Sequence, residues 1–469
     1  MHSDITPENY EEKRRELIKA NSNLRGLVLR DAEIELDRRL TLLKDELRDS
    51  FGGTDLYAIP VLTDESIRKS RLYEFCRRLP KGGDLHVHDM ALLPARELIS
   101  LLVTCPEFCI NADRRSYDLK TVGEGEEVPA GYMRFCDAVQ GGYYTRGEII
   151  ENWTVAGAKK TNVSIWDYFE ELFEKHAVLS NNPSFAEKYY DYAFRYYCRS
   201  GIMHVEIHIM LTESIDESAE YIMAVRRAYY RVKKDFPYFT VRMIGAGVKA
   251  DNESIDLTRR CFLNASYVQE VIKDESDSAH IADFLIGFDL VNEEDSSLPL
   301  HAFAPMLMKV KRQYPDMRLY IHGGESLDAQ NENLIDAYLL GASRVGHGLN
   351  LYRYPDLHAK YVQSEICLEV CPISNQCLGY SRDIRNHPAT EYLRTGMAMA
   401  LCSDDPAYME NETLTDDFFA AVVGWDLGLA DCKQLGINSI MYSGLDDADK
   451  YSSLKAYNSM WNGFVDSMT

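Results

Sequence analysis

The chain has 469 residues, of which 46% are hydrophobic and 27% are charged, so it can bury a sizeable core and is not expected to be disordered. Its 51 basic and 74 acidic residues give a formal net charge of -23, which repels phosphate backbones and anionic lipid. A nucleic-acid polymer or a membrane surface is therefore disfavoured as a partner, and no apolar run approaches the length that crosses a bilayer.

The first predicted elements are helices. Thr6-Pro7-Glu8 has the pattern of an N-cap followed by a first-turn proline and an acidic residue, which predicts a helix start. A stripe with spacings of three and four predicts a longer amphipathic helix and consists of Leu29, Ala32, Leu36, Leu40, Leu43 and Leu47. The stripe must be covered, either by the rest of its own chain or by another subunit. We expect residues 1–79 to form a helical extension and a possible dimerisation region.

The N-terminal composition and the cysteines bear on the cellular compartment. Residues 1–27 are polar and charged and lack the apolar stretch that a signal peptide needs. Eleven cysteines are an odd number without a short-spaced framework, which favours reduced thiols. The chain as given is expected to be cytoplasmic, whereas a leader ahead of it would make the protein secreted.

Short apolar runs recur from residue 80 onward, and most end in polar, Gly or His residues before an amphipathic stretch. Strands that alternate with helices indicate parallel βαβ units, and eight such units predict a (β/α)8 TIM barrel over residues 80–469, with an open doubly wound sheet as the alternative. The predicted strands are Asp84–His88, Ile202–Met210, Thr240–Gly245, Ala282–Leu290, Arg318–Gly323, Arg344–Gly348, Ile366–Pro372 and Met397–Asp404.

The connection between the first two predicted strands is more than 100 residues long, far beyond an ordinary βα loop. Residues 105–150 within it are polar, Gly-rich and irregular. We expect an inserted lobe or lid near the mouth of the barrel.

Four side chains at predicted strand ends have the chemistry of a metal site. His86 and His88 are two residues apart, so on a strand both imidazoles project to one side. His322 ends the fifth predicted strand and Asp404 the eighth. Because the carboxyl ends of barrel strands meet at one face, these side chains can hold one ion and leave a position for water.

Further polar residues occur at the same strand ends. Glu325 follows His322 by three residues, beside two glycines that allow close approach, and could donate a proton. His347 stands between two glycines at the end of the sixth predicted strand, which favours a functional role.

The second predicted strand carries three polar side chains on one face. His204, Glu206 and His208 alternate with apolar residues and are expected to face inward as a hydrogen-bonded network. His208 lies nearest the mouth and could line a pocket. The His204-Val205-Glu206 fragment lacks the Pro-Cys-x-x-Cys partner of a cytidine-deaminase zinc site, and no lysine ends the fourth strand, so a single metal is favoured.

Together these segments resemble the adenosine deaminase family, in particular its adenosine-deaminase-related growth factor branch. The resemblance covers most of the chain and implies a barrel of the metal-dependent hydrolase type and a homodimer formed through the N-terminal helices. The motifs that carry it are Pro80-Lys81-Gly82-Gly83, His86-Val87-His88-Asp89, Gly287-Phe288-Asp289-Leu290, His322-Gly323-Gly324-Glu325, Gly346-His347-Gly348, Glu369-Val370-Cys371-Pro372-Ile373-Ser374-Asn375 and Ser403-Asp404-Asp405-Pro406.

The resemblance also implies roles for individual residues in converting adenosine, and deoxyadenosine, to inosine and ammonia. One Zn2+ per subunit would be bound by His86, His88, His322 and Asp404. Glu325 would donate a proton to the purine N1, His347 would orient and help activate the attacking hydroxide, and Asp405 would hold N7. The other residues expected to contact substrate are Asp89, at the ribose, with Asn292, Gly324 and His208.

Three departures from the family pattern are Gly323 in place of alanine, Asn292 in place of glycine and His208 in place of arginine. Asparagine tolerates left-handed backbone geometry, so the contact at Asn292 can survive. Two alternatives stay open. One is deamination of another adenine-containing nucleoside, base or nucleotide, although a nucleotide would need a basic cluster. The other is a non-enzymatic signalling or scaffold protein, which the full set of ligands and the proton donor argue against.

Overall fold

Eight parallel strands surrounded by helices form the body of the molecule. The computed structural model describes residues 6, 9–20, 27–51, 55–58, 65–114, 116–123, 125–180, 182–212, 214–271 and 284–468. The eight strands follow one another around a single sheet in chain order. They are β1 Gly82–His88, β5 Ile202–Met210, β6 Thr240–Val248, β7 Leu285–Val291, β8 Arg318–Gly323, β9 Arg344–His347, β10 Cys367–Val370 and β11 Met399–Leu401.

The sheet closes on itself between its first and last strands. The backbone N–H of His88 donates to the carbonyl of Asp404 at 3.1 Å, and the N–H of Asp404 donates to the carbonyl of His86 at 2.9 Å. The predicted barrel is therefore confirmed over the open sheet, and each of the eight predicted strands is present. Ala282 and Asp283, at the start of the fourth prediction, lie outside the described residues.

Helices cover the outside of the barrel, as the amphipathic stretches predict. Those before β5 are α1 Tyr10–Ala20, α2 Asp31–Phe51, α3 Glu65–Arg68, α4 Arg71–Arg78, α5 Ala95–Leu102, α6 Phe135–Gln140, α7 Arg146–Trp153, α8 Ile165–Ser180 and α9 Pro183–Arg199. Those after it are α10 Ile215–Asp235, α11 Asn252–Val271, α12 Leu300–Gln313, α13 Asn333–Leu339, α14 Pro355–Gln363, α15 Pro372–Cys377, α16 Ala389–Thr395, α17 Pro406–Met409, α18 Leu414–Gly424, α19 Leu429–Met441 and α20 Asp447–Met468.

Short 3-10 helices connect several of these elements. They are Asp55–Tyr57, Val155–Lys160, Leu349–Arg353 and Ile384–Asn386.

The leucine stripe of α2 packs against its own chain. Leu36, Leu40, Leu43 and Leu47 are buried, and α2 contacts α4, α19 and α20. Ala32 of the predicted stripe is exposed instead, and the neighbouring Glu33 is buried. These leucines are therefore not available to a second subunit, and the homodimer stays a prediction. The helix predicted at Thr6 begins at Tyr10, while Pro7 and Glu8 lie outside the described residues.

We expect Leu40→Ala to lower the free energy of unfolding by about 2–5 kcal/mol, because a fully buried leucine is replaced by a cavity. The matched control is Leu42→Ala on the same helix, where the side chain is 68% exposed and a change of less than about 0.5 kcal/mol is expected. Urea unfolding followed by circular dichroism measures both. Equal effects of the two substitutions would contradict the packing of α2 on the barrel.

The insertion between β1 and β5 is more regular than its composition suggests. Three short antiparallel strands, β2 Phe108–Asn111, β3 Leu119–Thr121 and β4 Tyr132–Arg134, form a second sheet in the order β3-β2-β4. Its strands are only three or four residues long, too short for an alternating pattern to stand out from the surrounding turns. The helices α6 to α9 then return the chain to the barrel.

The cysteines agree with the expectation of reduced thiols, since all eleven are free and most are buried. Among the residues that the structure describes, no helix combines the length and the apolar character needed to cross a bilayer.

Candidate active site

A cavity of about 950 Å³ opens at the carboxyl ends of the barrel strands, where this architecture places its active sites. Helices α8 and α10 form its outer wall. The predicted site residues that line it are His88, Asp89, His208, Asn292, His322, Glu325, His347, Asp404 and Asp405. His86 is fully buried among them, whereas Gly324 does not line the cavity.

The four proposed metal ligands converge at the floor of this cavity. The Nε2 of His88 lies 3.2 Å from Asp404 Oδ1 and 3.3 Å from His322 Nε2. Potential ligand atoms of His86, His322, Asp404 and also His347 lie within 4.8 Å of one another. His88 belongs to a second, overlapping group with Asp404 and Asp405.

The chemistry of these donors suits a metal ion. The Nε2 of His86 is buried and has no hydrogen-bond partner among the described residues, although Asp404 Oδ1 is 3.7 Å away. Burial lowers the pKa of His86 to about 3 and that of His322 to about 4, so both imidazoles are neutral, the form that binds metals. Burial opposes ionisation of Asp404, but the hydrogen bond from His88 and the nearby imidazoles hold its pKa well below its usual range.

Two carboxylates behind the histidines hold the rings in place. Asp289 Oδ2 accepts hydrogen bonds from His322 Nδ1 at 2.6 Å and from His208 Nδ1 at 2.8 Å. Glu369 Oε2 lies 2.7 Å from His86 Nδ1, and its other oxygen is paired with the buried guanidinium of Arg344. A carboxylate thereby engages the Nδ1 of each ring and leaves its Nε2 on the opposite side, which is how carboxylates orient metal-binding histidines.

The polar face of β5 forms the network predicted from its alternation. His204 Nε2 lies 2.9 Å from Glu206 Oε1, and Glu206 is also paired with Arg344. His208 binds Asp289 and lines the cavity. The inward orientation is confirmed by contacts across the barrel, because Glu206 pairs with Arg344 of β9, His208 with Asp289 of β7, and His204 with Glu206.

Two candidate site residues, at the end of β9 and just after β11, have left-handed backbone conformations. His347 has φ 62° and Asp404 has φ 60°, in the left-handed region that side chains other than glycine seldom adopt. Gly346 is required for close approach, because a Cβ there would lie 2.7 Å from His86 Cε1. Such strained positions cluster at functional sites, where surrounding structure holds them.

Glu325 occupies a buried environment that favours the protonated form of its carboxyl group. Its Oε1 accepts a hydrogen bond from Asn375 Nδ2 at 3.1 Å and lies 3.3 Å from His347 Nδ1. Burial, then the charges of Asp404 and Glu294, raise its pKa well above the ordinary value. A carboxyl group whose pKa is raised holds its proton to higher pH and is better suited to act as a general acid near neutral pH.

Gly324 supports the turn between His322 and Glu325, in contrast to the substrate contact expected for it. Its N–H donates to Glu294 Oε2 at 3.0 Å, so it is not free for a ligand. Glu294 also forms a buried ion pair with Lys249 at 3.0 Å. The sequence did not point to this pair, because neither residue belongs to a motif at a strand end.

The other predicted contact residues present polar groups to the cavity. Asp405 is buried, and its Oδ1 has no hydrogen-bond partner within the described part of the chain. Asn292 has φ 119°, a positive value that its family counterpart glycine adopts freely. Asp89 Oδ1 accepts hydrogen bonds from the hydroxyls of Tyr190 and Tyr221, which fixes its orientation.

The outer wall was missed by sequence reasoning, which placed the lid within residues 105–150. Helix α8, beyond that range, supplies Trp166, Phe169, Phe173 and His176 to the cavity. The aromatic residues at spacings of three and four were the available signal, but they are equally typical of a helix that packs on a core.

Comparison with known proteins places the chain in a family. The family model described as adenosine deaminase matches residues 148–456. Adenosine deaminase 2 of Dictyostelium discoideum is 27% identical over 91% of this chain and 81% of its own length, and an adenosine deaminase of Lutzomyia longipalpis is 28% identical over 92% and 86%.

Solved structures share the fold at lower identity. An adenine deaminase from Arthrobacter aurescens has a TM-score of 0.57 at 20% identity, covering 81% of this chain and 99% of its own. An amidohydrolase from Burkholderia ambifaria, solved with bound Zn, has a TM-score of 0.59 at 18% identity, covering 85% and 94%. With the family model matching well over half of its residues, the chain belongs to the adenosine deaminase family.

Proposed function

We propose that the chain catalyses the zinc-dependent hydrolytic deamination of adenosine to inosine and of deoxyadenosine to deoxyinosine, with release of ammonia. The observation that carries the proposal is the position of Glu325, a buried carboxyl group whose pKa is raised well above its usual range, beside a convergent set of imidazole and carboxylate donors in one cavity. Relatives over most of the chain's length are named adenosine deaminases.

The residues that would hold the metal are His86, His88, His322 and Asp404. Support for zinc comes from their nitrogen and oxygen donors, from the unpartnered Nε2 of His86 and from the structural neighbour solved with Zn. When bound, zinc would act as a Lewis acid that makes hydroxide available at neutral pH.

The other residues of the site would bind the purine and move a proton. Glu325 donates its proton to the ring N1, so that addition at C6 does not leave a full negative charge on the ring. Asp405, whose pKa burial raises well above its usual range, offers a protonated carboxyl to N7. His347 and Asn375 hold Glu325 in place.

The cavity favours a nucleoside over a nucleotide. Among its lining residues, as far as the chain is described, there is no lysine or arginine to pair with a phosphate. Four exposed glutamates, Glu170, Glu174, Glu217 and Glu220, line it instead and would repel one.

The decisive assay follows ultraviolet absorbance during incubation with adenosine, deoxyadenosine, adenine, N6-methyladenosine and AMP. We expect turnover of adenosine and deoxyadenosine, with kcat/KM for AMP lower by at least about 100-fold because its phosphate enters an acidic mouth. Faster turnover of adenine or AMP than of adenosine would assign a different substrate. No turnover of any purine by the metal-loaded protein would favour the non-enzymatic alternative.

A further inference from the structure

A histidine outside the metal cluster also lines the cavity. His176 lies on α8 and is 2% exposed, yet neither ring nitrogen has a hydrogen-bond partner among the residues that the structure describes. A buried polar atom without a partner is destabilising and uncommon in native proteins, unless a ligand or an ordered water supplies the bond.

The ring of His176 is held in a fixed orientation by aromatic neighbours. It stacks on Tyr408 with a centroid distance of 5.3 Å and an interplanar angle of 23°, and it meets Trp153 edge-on at 4.8 Å. Phe173 packs on the same tyrosine at 4.6 Å. A leucine or phenylalanine would satisfy this apolar environment without the penalty of unpaired nitrogens, so packing alone does not explain the imidazole.

The imidazole is neutral in this environment. Burial, with a smaller contribution from Lys175, lowers the pKa of His176 to about 3. A neutral imidazole has one N–H donor and one acceptor nitrogen, so it can bind a hydroxyl group in either direction, but it lacks the positive charge that would pair with a phosphate. An uncharged hydroxyl, which can both donate and accept a hydrogen bond, is a matching ligand group.

The position of His176 relative to Asp405 indicates which hydroxyl is involved. His176, Asp405 and Tyr408 line the same cavity, and Tyr408, on which His176 stacks, follows Asp405 by three residues, so the ring of His176 lies on the Asp405 side of the cavity. If Asp405 holds the purine N7, then N9 of the same five-membered ring, and the sugar attached to it, lie close to Asp405 as well.

We propose that His176 is a substrate-binding residue that recognises a sugar hydroxyl of the nucleoside. The inference rests on the proposed function, and it adds a specificity-determining contact on the helical wall that is independent of the metal ligands. It also accounts for the placement of α8 over the mouth, because the helix then covers the sugar and not only the base.

The test compares adenosine with 2′-, 3′- and 5′-deoxyadenosine in the zinc-loaded wild type and in His176→Phe, which keeps an aromatic ring stacked on Tyr408. In the wild type, loss of the contacted hydroxyl is expected to lower kcat/KM about 10-fold. In His176→Phe, kcat/KM for adenosine should fall by the same factor, and the substrate that lacks the contacted hydroxyl should then be turned over as efficiently as adenosine. His176→Asn, which restores a donor and an acceptor, should recover part of the lost kcat/KM for adenosine.

The control is Leu179→Ala on the same helix, a buried residue that does not line the cavity. It should leave the ratio of kcat/KM between adenosine and each of the three deoxyadenosines unchanged.

Binding of inosine and its deoxy analogues, measured by calorimetry, separates the two proposals. If the wild type binds inosine without deaminating adenosine, and His176→Phe weakens that binding, only the proposed function fails. If adenosine is deaminated and His176→Phe leaves every deoxy penalty unchanged, the role of His176 is overturned and an ordered water is its partner.

Discussion

Glu325→Gln is expected to lower kcat for adenosine by about 100- to 10,000-fold while leaving the bound metal unchanged, because glutamine keeps the shape of the side chain but has no acidic proton to transfer. The hydrogen bond from Asn375 can still be accepted by the amide oxygen, so the site should retain its packing. Steady-state kinetics and metal analysis of the same preparation measure the two effects separately.

The matched control for this substitution is Glu332→Gln, an exposed glutamate a short distance along the chain that does not line the cavity. It should retain wild-type turnover. If Glu325→Gln retains it as well, Glu325 is not the proton donor, and the raised pKa of its carboxyl reflects burial alone.

His86→Ala is expected to lower both the metal content and the turnover, because it removes one of four ligands and leaves Glu369 without the imidazole it orients. Metal analysis after dialysis against a weak chelator measures the loss. The effect on turnover should be reversed in part by excess zinc, since the remaining ligands are still in place.

His358→Ala serves as the control for His86→Ala. His358 lies on α14, where it pairs with Thr395 at 2.9 Å and is remote from the cavity lining. Its removal should leave zinc bound. Full zinc occupancy in His86→Ala would contradict the assignment of that histidine as a ligand.

The barrel could be predicted because each strand carries a local signal. Short apolar runs ending in polar residues gave all eight strands, and His86 and His88 were placed on one face by their spacing alone. The convergence of His322 and Asp404 with them followed from the rule that strand ends share one face of a barrel.

The supporting contacts could not be predicted in the same way. In the sequence, Asp289 and Glu369 stand out only as parts of motifs, yet each holds a histidine from a different strand, across 33 and 283 residues of sequence. Lys249, after β6, and Glu294, after β7, are likewise far apart in sequence and form an ion pair. Such pairings are set by the register of neighbouring strands, and periodicity along a single strand carries no information about them.

The wall of the cavity shows a related limit. Helix α8 has an ordinary amphipathic pattern, and whether such a stripe faces a core or a ligand depends on how the insertion before it folds. His176 was therefore indistinguishable in the sequence from a histidine in a packed helix. Only the absence of partners for its nitrogens, in the described part of the fold, sets it apart.

Stepwise return of zinc to the metal-free protein tests the central assignment most directly. After removal of metal by a chelator, adenosine deamination should be lost, and it should rise in proportion to added zinc until one ion is bound per chain. Activity that survives complete metal removal, or zinc that binds without restoring activity, would contradict a metal centre built from His86, His88, His322 and Asp404.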